Sequence, residues 1–441
     1  MKLYSENKSY KLYQGNMLDM LECIQPNTID SIVTDPPYEL NFMGKGWDNS
    51  GIAFQKDTWT KCFEVLKPGG YLLAFGGSRT FHRIACAIED AGFEIRDTIM
   101  WLYGSGFPKS MNIGLAIDKK NGVDNRTGNI VKGMGSNNTT AMKNCLSESQ
   151  EFASEYEERV AQNEWKGWGT CLKPSFEPII VARKPLDGTC VDNIIKWGVG
   201  GLNIDECRVP MSDNEPDSRV GTDAVMHTSG DKMWYGEGGY AGKDITVYNN
   251  NGRFPANTIL TYDETDYEEV CGGFPQSKGA SSQNNYSNGS IYRGQSLQES
   301  STKLEGYREW YNDDGSASRY FYCAKASKKD RNEGLNDIKN THPTVKPCEL
   351  IQYLVRLVTP NGGTVLDPFN GSGSTGKAAM YENRERNKDY KYIGIELTEE
   401  YLPIAKARIE YPLTCVLHND KKETKIKEQP VVEQNKEVNL W

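Results

Sequence analysis

The feature that most constrains the fold is an alternation of short apolar runs with helical patterns, which occurs in two distant stretches of the chain. In the first stretch, residues 10–108, the runs 29–34 and 71–75 have the composition of buried strands, and helices are predicted at 58–66 and 81–91. Strands that alternate with helices form a parallel sheet with helices on its faces. The pattern therefore predicts an α/β fold.

The same alternation returns in residues 341–410. Apolar side chains at helical spacing predict a helix over 348–359. Strands are predicted at 364–366 and 392–395, with a helix at 374–381 between them. We therefore expect one doubly wound, mostly parallel sheet whose two halves come from opposite ends of the 441-residue chain.

Residues 109–330 differ from both stretches in composition. They are rich in Asn, Gly, Ser and Tyr, which is typical of loops and poorly ordered segments. Only 176–183 and 253–260 resemble regular structure. The predicted segments are a first half-domain at 1–108, an inserted region at 109–330, a second half-domain at 331–418 and a disordered tail at 419–441.

The composition bears on location and on metal binding. No run approaches the roughly 18 consecutive apolar residues that a membrane span needs, and the first residues lack a secretory pattern. We therefore expect a cytoplasmic protein without membrane association. The 11 cysteines form no C-x-x-C pair and no Cys/His cluster, so neither a disulfide framework nor a metal site is indicated.

The net charge of −9 has to be reconciled with any nucleic-acid partner, because phosphate contacts need Lys and Arg. Only the docking face has to be basic, and much of the acid lies in the runs 148–158 and 263–269. Between 319 and 331, five basic side chains face only Asp330. This segregation permits a nucleic-acid partner, for which Arg319, Lys325, Lys328 and Lys329 are the candidate contacts, and Arg331 completes the cluster.

The first chemical motif is Asp35-Pro36-Pro37-Tyr38, directly after the predicted strand 29–34. Ligands bind at the carboxyl ends of strands in a doubly wound sheet. Two prolines fix the backbone, so the Asp35 carboxylate and the Pro36 carbonyl can accept both hydrogens of an exocyclic amino group. Tyr38 offers a flat face on which a base rotated out of a duplex can stack. As an alternative, a Pro-rich turn with a surface Tyr would need no ligand.

The second motif is a glycine-rich turn, Asp367-Pro368-Phe369-Asn370-Gly371-Ser372-Gly373, between a predicted strand and a helix. Glycines allow a ligand to approach the backbone, and the helix start favours a carboxylate. The turn lacks the G-K-[ST] ending of a phosphate loop and the G-x-G-x-x-G spacing of a dinucleotide site. Glu396 ends the next strand, where a carboxylate can bind both hydroxyls of a ribose. A nucleoside with a carboxylate and no phosphate fits S-adenosylmethionine, whereas a purely structural turn remains the alternative.

The third motif is His342-Pro343-Thr344-Val345-Lys346-Pro347. Together the three motifs resemble the amino-methyltransferases of DNA, the N-4/N-6 methylase family, in the permuted order of its beta group. The resemblance covers about 10–108 and 341–410. The islands 318–327 and 252–257 are similar to phage and prophage members of the family.

The resemblance implies a Rossmann-like methyltransferase fold with a target-recognition region at 109–330. It also implies S-adenosylmethionine as cofactor, double-stranded DNA as substrate with base flipping, a homodimer and a cognate restriction endonuclease. The catalytic residues would be Asp35, Pro36, Pro37 and Tyr38. The cofactor-binding residues would be Asp19, Asp35, Thr344, Lys346, Asp367, Phe369, Gly371, Gly373, Ser374 and Glu396, with Glu396 on the ribose, Thr344 and Lys346 on the carboxylate and Asp19 near the adenine.

Within this family, adenine N6 is the expected target because cytosine-N4 enzymes more often carry Ser before Pro-Pro. Methylation of cytosine N4 is the nearest alternative. Less expected are methylation of an RNA base and a catalytically inactive DNA-binding protein. The motif order and the large insertion favour DNA over RNA, and the intact Asp35 and Tyr38 favour an active enzyme.

Overall fold

The computed structural model describes residues 2–40, 46–103, 110–133, 154–209, 252–262, 274, 276–277, 315–316, 321–325, 329–336 and 338–414. The strands are β1 Lys2–Glu6, β2 Tyr10–Gln14, β3 Ile29–Thr34, β4 Leu66–Phe75, β5 Glu94–Tyr103, β6 Arg126–Gly133, β7 Ser154–Arg159, β8 Phe176–Arg183, β9 Thr258–Tyr262, β10 Gln276–Ser277, β11 Gly315–Ser316, β12 Tyr322–Lys325, β13 Thr364–Asp367 and β14 Lys391–Glu396. The helices are α1 Met17–Leu21, α2 Lys56–Val65, α3 Phe81–Asp90, α4 Ile113–Lys120, α5 Cys190–Trp197, α6 Cys348–Val358, α7 Ser374–Glu385 and α8 Leu402–Thr414. The predicted tail at 419–441 lies outside the described residues.

Within the described ranges, ten strands form one sheet in the order β1-β2-β14-β13-β3-β4-β8-β5-β9-β12. Six neighbouring pairs run parallel. The antiparallel pairs are β1 with β2 and β8 with both of its neighbours. The predicted α/β fold with a mostly parallel sheet is confirmed.

The sheet reverses its winding between β3 and β13, which are neighbours although they come from opposite ends of the chain. From β3 the chain passes through α2 to β4 on one side. From β13 it passes through α7 to β14 on the other side. Because the two connections diverge, a crevice opens at the carboxyl ends of β3 and β13, where ligands bind in such folds.

Alternating side chains of the central strands supply two cores, one on each face of the sheet. Leu72 and Ala74 pack with α1, α2 and α3. Leu73 and Phe75 pack with α6, α7 and α8. All six residues of β3 are buried, as expected for a parallel strand covered on both faces. The predicted apolar stripe of α6 is buried as well: Leu350, Ile351, Leu354, Leu357 and Val358.

The boundary expected at residue 108 is not a boundary of the sheet. β8, β9 and β12 come from the region 109–330, yet they join the sheet beyond β4. Ile179, Ile180, Val181 and Ala182 in β8 are each almost fully buried. A continuous apolar run of this kind needs cover on both faces, so β8 inserts between β4 and β5 instead of forming part of a separate polar module.

Among the residues that the structure describes, no helix has both the length and the hydrophobicity that a membrane crossing requires.

Candidate active site

One cavity of about 1510 Å³ lies at the crevice between β3 and β13. Loops that follow β3, β4, β13 and β14 line it, and so does the first part of β8. β8 runs against its neighbours, so its amino end lies at the edge where the parallel strands have their carboxyl ends. The three sequence motifs all contribute to this cavity wall.

Asp35 lies directly after β3 and contacts Lys346 of the third motif. Its Oδ2 accepts a hydrogen bond from Lys346 Nζ at 2.7 Å. Its Oδ1 is buried and has no hydrogen-bond partner among the described residues. Burial raises the pKa of the Asp35 carboxyl, and the neighbouring ammonium acts in the opposite direction. Asp35, which lines the cavity, therefore keeps one acceptor oxygen without a hydrogen bond.

Glu177, in β8, joins this pair to two tyrosines. Tyr38 Oη donates to Glu177 Oε2 at 2.7 Å, and Tyr103 Oη donates to Glu177 Oε1 at 3.3 Å. Lys346 Nζ lies 3.5 Å from Glu177 Oε2 and 5.2 Å from the centre of the Tyr38 ring. Burial lowers the pKa of Lys346 and the two carboxylates raise it, with a net upward shift. The ammonium charge is thus retained.

Sequence reasoning missed Glu177 and Tyr103 as site residues. Residues 176–183 were expected to have regular structure of no stated type, and no motif in them indicates chemistry. Their approach to the Asp35 loop depends on the antiparallel insertion between β4 and β5. That insertion is a long-range pairing, for which local sequence carries no signal.

The glycine-rich turn and Glu396 meet on the other side of the cavity. Gly371 has a φ of +49°, and its N–H donates to Glu396 Oε2 at 2.6 Å. Thr398 N–H donates to Glu396 Oε1 at 2.7 Å. Burial raises the pKa of Glu396 to about 7, against the effect of these two hydrogen bonds. The turn and the carboxylate therefore form one rigid unit, with Leu397 beside it 64% exposed in the cavity wall.

Asp367 links the two halves of the site. Its Oδ1 accepts from Thr34 Oγ1 at 2.7 Å and from the Phe369 N–H at 3.1 Å. Burial raises the pKa of Asp367 to about 6. Because Thr34 directly precedes Asp35, this contact fixes the loop after β13 against the loop after β3.

The other predicted residues near the turn lie at different depths. Thr344, Phe369 and Ser374 line the cavity, and Ser374 Oγ donates to the Lys346 carbonyl at 3.3 Å. Gly373 lies behind the wall: a Cβ there would come within 3.0 Å of Ala405 in α8. A glycine is therefore needed at position 373 because helix α8 packs against it, and not because a ligand approaches the backbone there.

His342 is buried at the base of the turn. A Cβ on Gly371 would lie 2.8 Å from His342 Nε2, and the His342 ring meets the Tyr401 ring at a centroid distance of 4.6 Å. Burial lowers the pKa of His342 to about 3, with Lys346, Arg408 and Arg331 acting in the same direction. A buried neutral ring that packs on Tyr401 and the glycine turn has a structural role.

Some predicted residues are placed away from their expected partners. Asp19 is exposed on α1 and does not line the cavity, whereas Asn16 and Met17 do. The Lys346 ammonium binds Asp35, so its expected role toward a cofactor carboxylate would require sharing. Arg331, from the basic cluster, points inward: its Nη2 donates to the His342 carbonyl at 2.8 Å.

The predicted DNA contacts are only partly within the described residues. Lys325 ends β12, the edge strand of the sheet, and Lys329 is exposed just before a short 3-10 helix. Arg319 and Lys328 lie outside the described residues. Their role in DNA binding stays a prediction.

The cavity wall fits the cofactor that the sequence suggested. It offers a buried carboxylate at the end of β14, an exposed apolar side chain beside it and a glycine turn of positive φ. These features match the diol, the base and the amino-acid end of a nucleoside such as S-adenosylmethionine. On the opposite side, the unpartnered Asp35 Oδ1 matches an amino group.

Comparison with known proteins gives three kinds of match. The model of a family described as DNA methylase matches residues 29–407. The type II methyltransferase M.HindIII of Haemophilus influenzae is 25% identical over 151 residues, which is 33% of this chain and 37% of the relative. M2.DpnII of Streptococcus pneumoniae is 42% identical over 69 residues, 16% of this chain and 24% of the relative. The chain therefore spans well under half the length of these curated relatives.

Among solved structures, the PvuII DNA methyltransferase, named as cytosine-N4-specific, is 13% identical with a TM-score of 0.42, covering 92% of this chain and 90% of its own. The structure of M1.HpyAVI is 14% identical with a TM-score of 0.36, covering 92% of this chain and 100% of its own. Likeness at this level carries no argument about activity.

Proposed function

This chain belongs to the DNA methylase family, and from that premise we propose that it transfers a methyl group to the N6 amino group of adenine in DNA. The observation that carries the proposal is Asp35, which lines the same cavity as Pro36 and Tyr38 and whose buried Oδ1 has no hydrogen-bond partner among the described residues. An exocyclic amino group is the donor that this acceptor lacks.

S-adenosylmethionine is the methyl donor of the family, which confirms the predicted cofactor. The residues that hold it are part of our proposal. Glu396 accepts hydrogen bonds from the ribose hydroxyls, and Leu397 packs against the adenine ring. The methionine end of the cofactor is surrounded by four residues that line the cavity: Asp367, Phe369, Gly371 and Ser374.

The acceptor side of the cavity consists of Asp35, Pro36, Tyr38, Glu177 and Lys346. It would orient and polarise the target amino group. The lone pair of an exocyclic amine is delocalised into the base, so the amine is a weak nucleophile. Hydrogen bonds from both N–H groups to Asp35 Oδ1 and the Pro36 carbonyl return electron density to the nitrogen. When bound, the cofactor supplies an electrophilic methyl group whose bonding pair leaves on sulfur. The methylated nitrogen is then acidic enough to lose its proton to water, so no strong base is needed.

Tyr38 supports the target by stacking. Its hydroxyl is held by Glu177, which fixes the ring in the cavity wall next to Lys346. Chemistry on a base requires that the base leave the helical stack, and an aromatic face compensates for part of the lost stacking. A flipped adenine between Tyr38 and the opposite wall would present N6 to Asp35.

Adenine is favoured over cytosine because Asp, not Ser, precedes Pro-Pro in this chain. Cytosine N4 remains the second candidate, since its amino group makes the same hydrogen bonds. A homodimer, a cognate restriction endonuclease and a cytoplasmic location stay predictions.

The proposal is tested by incubating the purified protein with methyl-labelled S-adenosylmethionine and unmethylated duplex DNA, then digesting the DNA to nucleosides. We expect the label in N6-methyldeoxyadenosine. Label in N4-methyldeoxycytidine alone would overturn the adenine assignment. In a parallel incubation with RNA, label in the RNA together with none in the DNA would overturn the substrate class.

A further inference from the structure

Glu177 occupies a position in the cavity that none of the sequence motifs explains. It lies at the amino end of β8, and three polar groups converge on its carboxylate. These are the hydroxyls of Tyr38 and Tyr103 and the ammonium of Lys346, at 2.7, 3.3 and 3.5 Å. The Glu177 carboxylate therefore contacts the loop 35–38, strand β5 and the third motif at the same time.

The charges in this cluster do not cancel. Lys346 makes its shorter contact with Asp35, 2.7 Å against 3.5 Å for Glu177, so Asp35 and Lys346 form the primary ion pair. Glu177 then adds one negative charge to a neutral pair. The nearby buried carboxyl Asp367 also faces Asp35, and the remaining groups on Glu177 are neutral tyrosines. Counted over Asp35, Lys346 and Glu177, the cluster therefore has a net negative charge, whereas Arg79 and Lys173 line other parts of the cavity wall.

We propose that Glu177 is a positioning residue that holds Tyr38 and Lys346 in place and supplies the negative charge by which this cavity favours a cationic ligand group. The inference rests on the proposed function. During methyl transfer, positive charge moves from the sulfonium toward the target nitrogen, which lies beside Asp35. A fixed negative charge nearby stabilises that charge throughout, with no reorganisation at the moment of reaction.

The size of the effect follows from Coulomb's law. A cationic ligand group about 8 Å from Glu177 sets the scale of the interaction. For unit charges at that separation and an effective dielectric constant of about 20 to 40, the interaction changes an affinity by roughly fivefold to thirtyfold. Effects of this size are measurable in a binding titration.

The test compares two ligands that differ in charge. S-adenosylmethionine carries a sulfonium, whereas S-adenosylhomocysteine has a neutral thioether in its place. Calorimetry on the full chain gives the ratio of their dissociation constants. Replacing Glu177 by glutamine removes the charge but keeps an oxygen and an amide that can contact both tyrosines. For Glu177→Gln, we expect the preference for S-adenosylmethionine to fall about fivefold or more.

The matched control is Glu94→Gln, which removes a carboxylate paired with Arg183 at the other end of β8. Its ligand preference should equal that of the wild type. A second variant, Glu177→Asp, keeps the charge but shortens the side chain. It should keep the preference while slowing single-turnover methylation, because Tyr38 loses its 2.7 Å contact.

The outcomes separate this inference from the proposed function. If the wild type binds both ligands and Glu177→Gln keeps the wild-type preference, the electrostatic role of Glu177 is wrong and the proposed function stands. An unchanged single-turnover rate in Glu177→Asp would contradict the positioning role. If the wild type binds neither ligand, the proposed function itself fails. Should Glu177→Gln not fold, a lost preference in the folded Glu177→Asp variant would also overturn the inference.

Discussion

The two sides of the cavity hold their carboxylates in different ways. On the acceptor side, Asp35 and Glu177 share one ammonium, that of Lys346. On the cofactor side, Asp367 and Glu396 are held by backbone N–H groups and a threonine hydroxyl, in contacts of 2.6 to 3.1 Å. The first arrangement is an ion-pair cluster, and the second is a set of buried carboxyls with hydrogen bonds only.

This difference predicts different sensitivities. On the acceptor side, the Lys346 ammonium opposes the upward effect of burial on the pKa of Asp35, so this side should respond mainly to substitutions that change charge or donor pattern. Buried carboxyls without a cation have raised pKa values, about 6 for Asp367 and about 7 for Glu396, so the cofactor side should respond to pH. The following predictions test this division in order of expected effect.

The largest effect is expected for Asp35→Asn. The amide keeps the size of the side chain but presents an NH2 where the target amine needs an acceptor, so single-turnover methylation should fall about 100-fold to 1,000-fold, the scale for a misplaced polar group in an active site. Binding of cofactor and DNA should be largely retained. Asp97→Asn on β5, an exposed carboxylate that bonds Thr98 N–H, is the control and should have wild-type activity. A near wild-type rate for Asp35→Asn would refute the role assigned to Asp35.

The next effect concerns the stacking face. Tyr38→Ala removes the ring, and base–aromatic stacking contributes about 1–3 kcal/mol, or roughly 5-fold to 150-fold in rate or affinity. Tyr38→Phe keeps the ring and removes the hydroxyl that donates to Glu177, so its loss should be smaller. Single-turnover rates of the two variants distinguish the ring from the hydroxyl. Equal damage in both would show that the hydroxyl, not the ring, is the important group.

On the cofactor side, Gly371→Ala should weaken cofactor binding about tenfold. A Cβ at this position of positive φ would press on His342 at 2.8 Å and disturb the N–H that holds Glu396. Gly362→Ala is the matched control, since Gly362 also has positive φ but has open space around its Cβ position. Both variants carry backbone strain of about 1–2 kcal/mol. Equal cofactor affinities of the two variants in calorimetry would show that the contact between position 371 and His342 does not affect cofactor binding.

The smallest effect is a proton release that accompanies cofactor binding. Without ligand, Glu396 binds a proton up to about pH 7, compared with its ordinary value of 4.5, so the free energy of unfolding should decrease as pH rises through that window. Ribose hydroxyls stabilise the ionised carboxylate, so binding should release a fraction of a proton at pH 6.5 and become tighter toward pH 8. Calorimetry in buffers of different ionisation enthalpy measures this release. Glu396→Gln should abolish most of it, and an undiminished release in that variant would place the titrating group elsewhere.

The two sides were also unequally visible in the sequence. Each functional residue lies at the end of a strand or in the loop after it, and the apolar run of that strand is local, so both could be predicted: Asp35, Tyr38, Asp367 and Glu396. Central parallel strands are buried on both faces, and their composition shows it. The helix at 348–359 and the glycine turn were identified for the same reason.

Glu177 could not be found in this way, because its position depends on β8 pairing antiparallel with both β4 and β5. The strands of 109–330 were not assigned to the main sheet for the same reason, because local sequence carries no signal for long-range strand pairing. Gly373 shows a further limit: the sequence indicates that a glycine is needed there, but only the structure shows that helix α8, not a ligand, approaches it.

The most direct test of the proposed chemistry is the base modification produced in cells. The wild-type chain and Asp35→Asn would each be expressed in a bacterial host that lacks DNA methylases of its own, and the genomic DNA would be digested to nucleosides for mass spectrometry. We expect N6-methyldeoxyadenosine with the wild type and almost none with Asp35→Asn. N4-methyldeoxycytidine instead, or equal modification by both proteins, would contradict adenine methylation through Asp35.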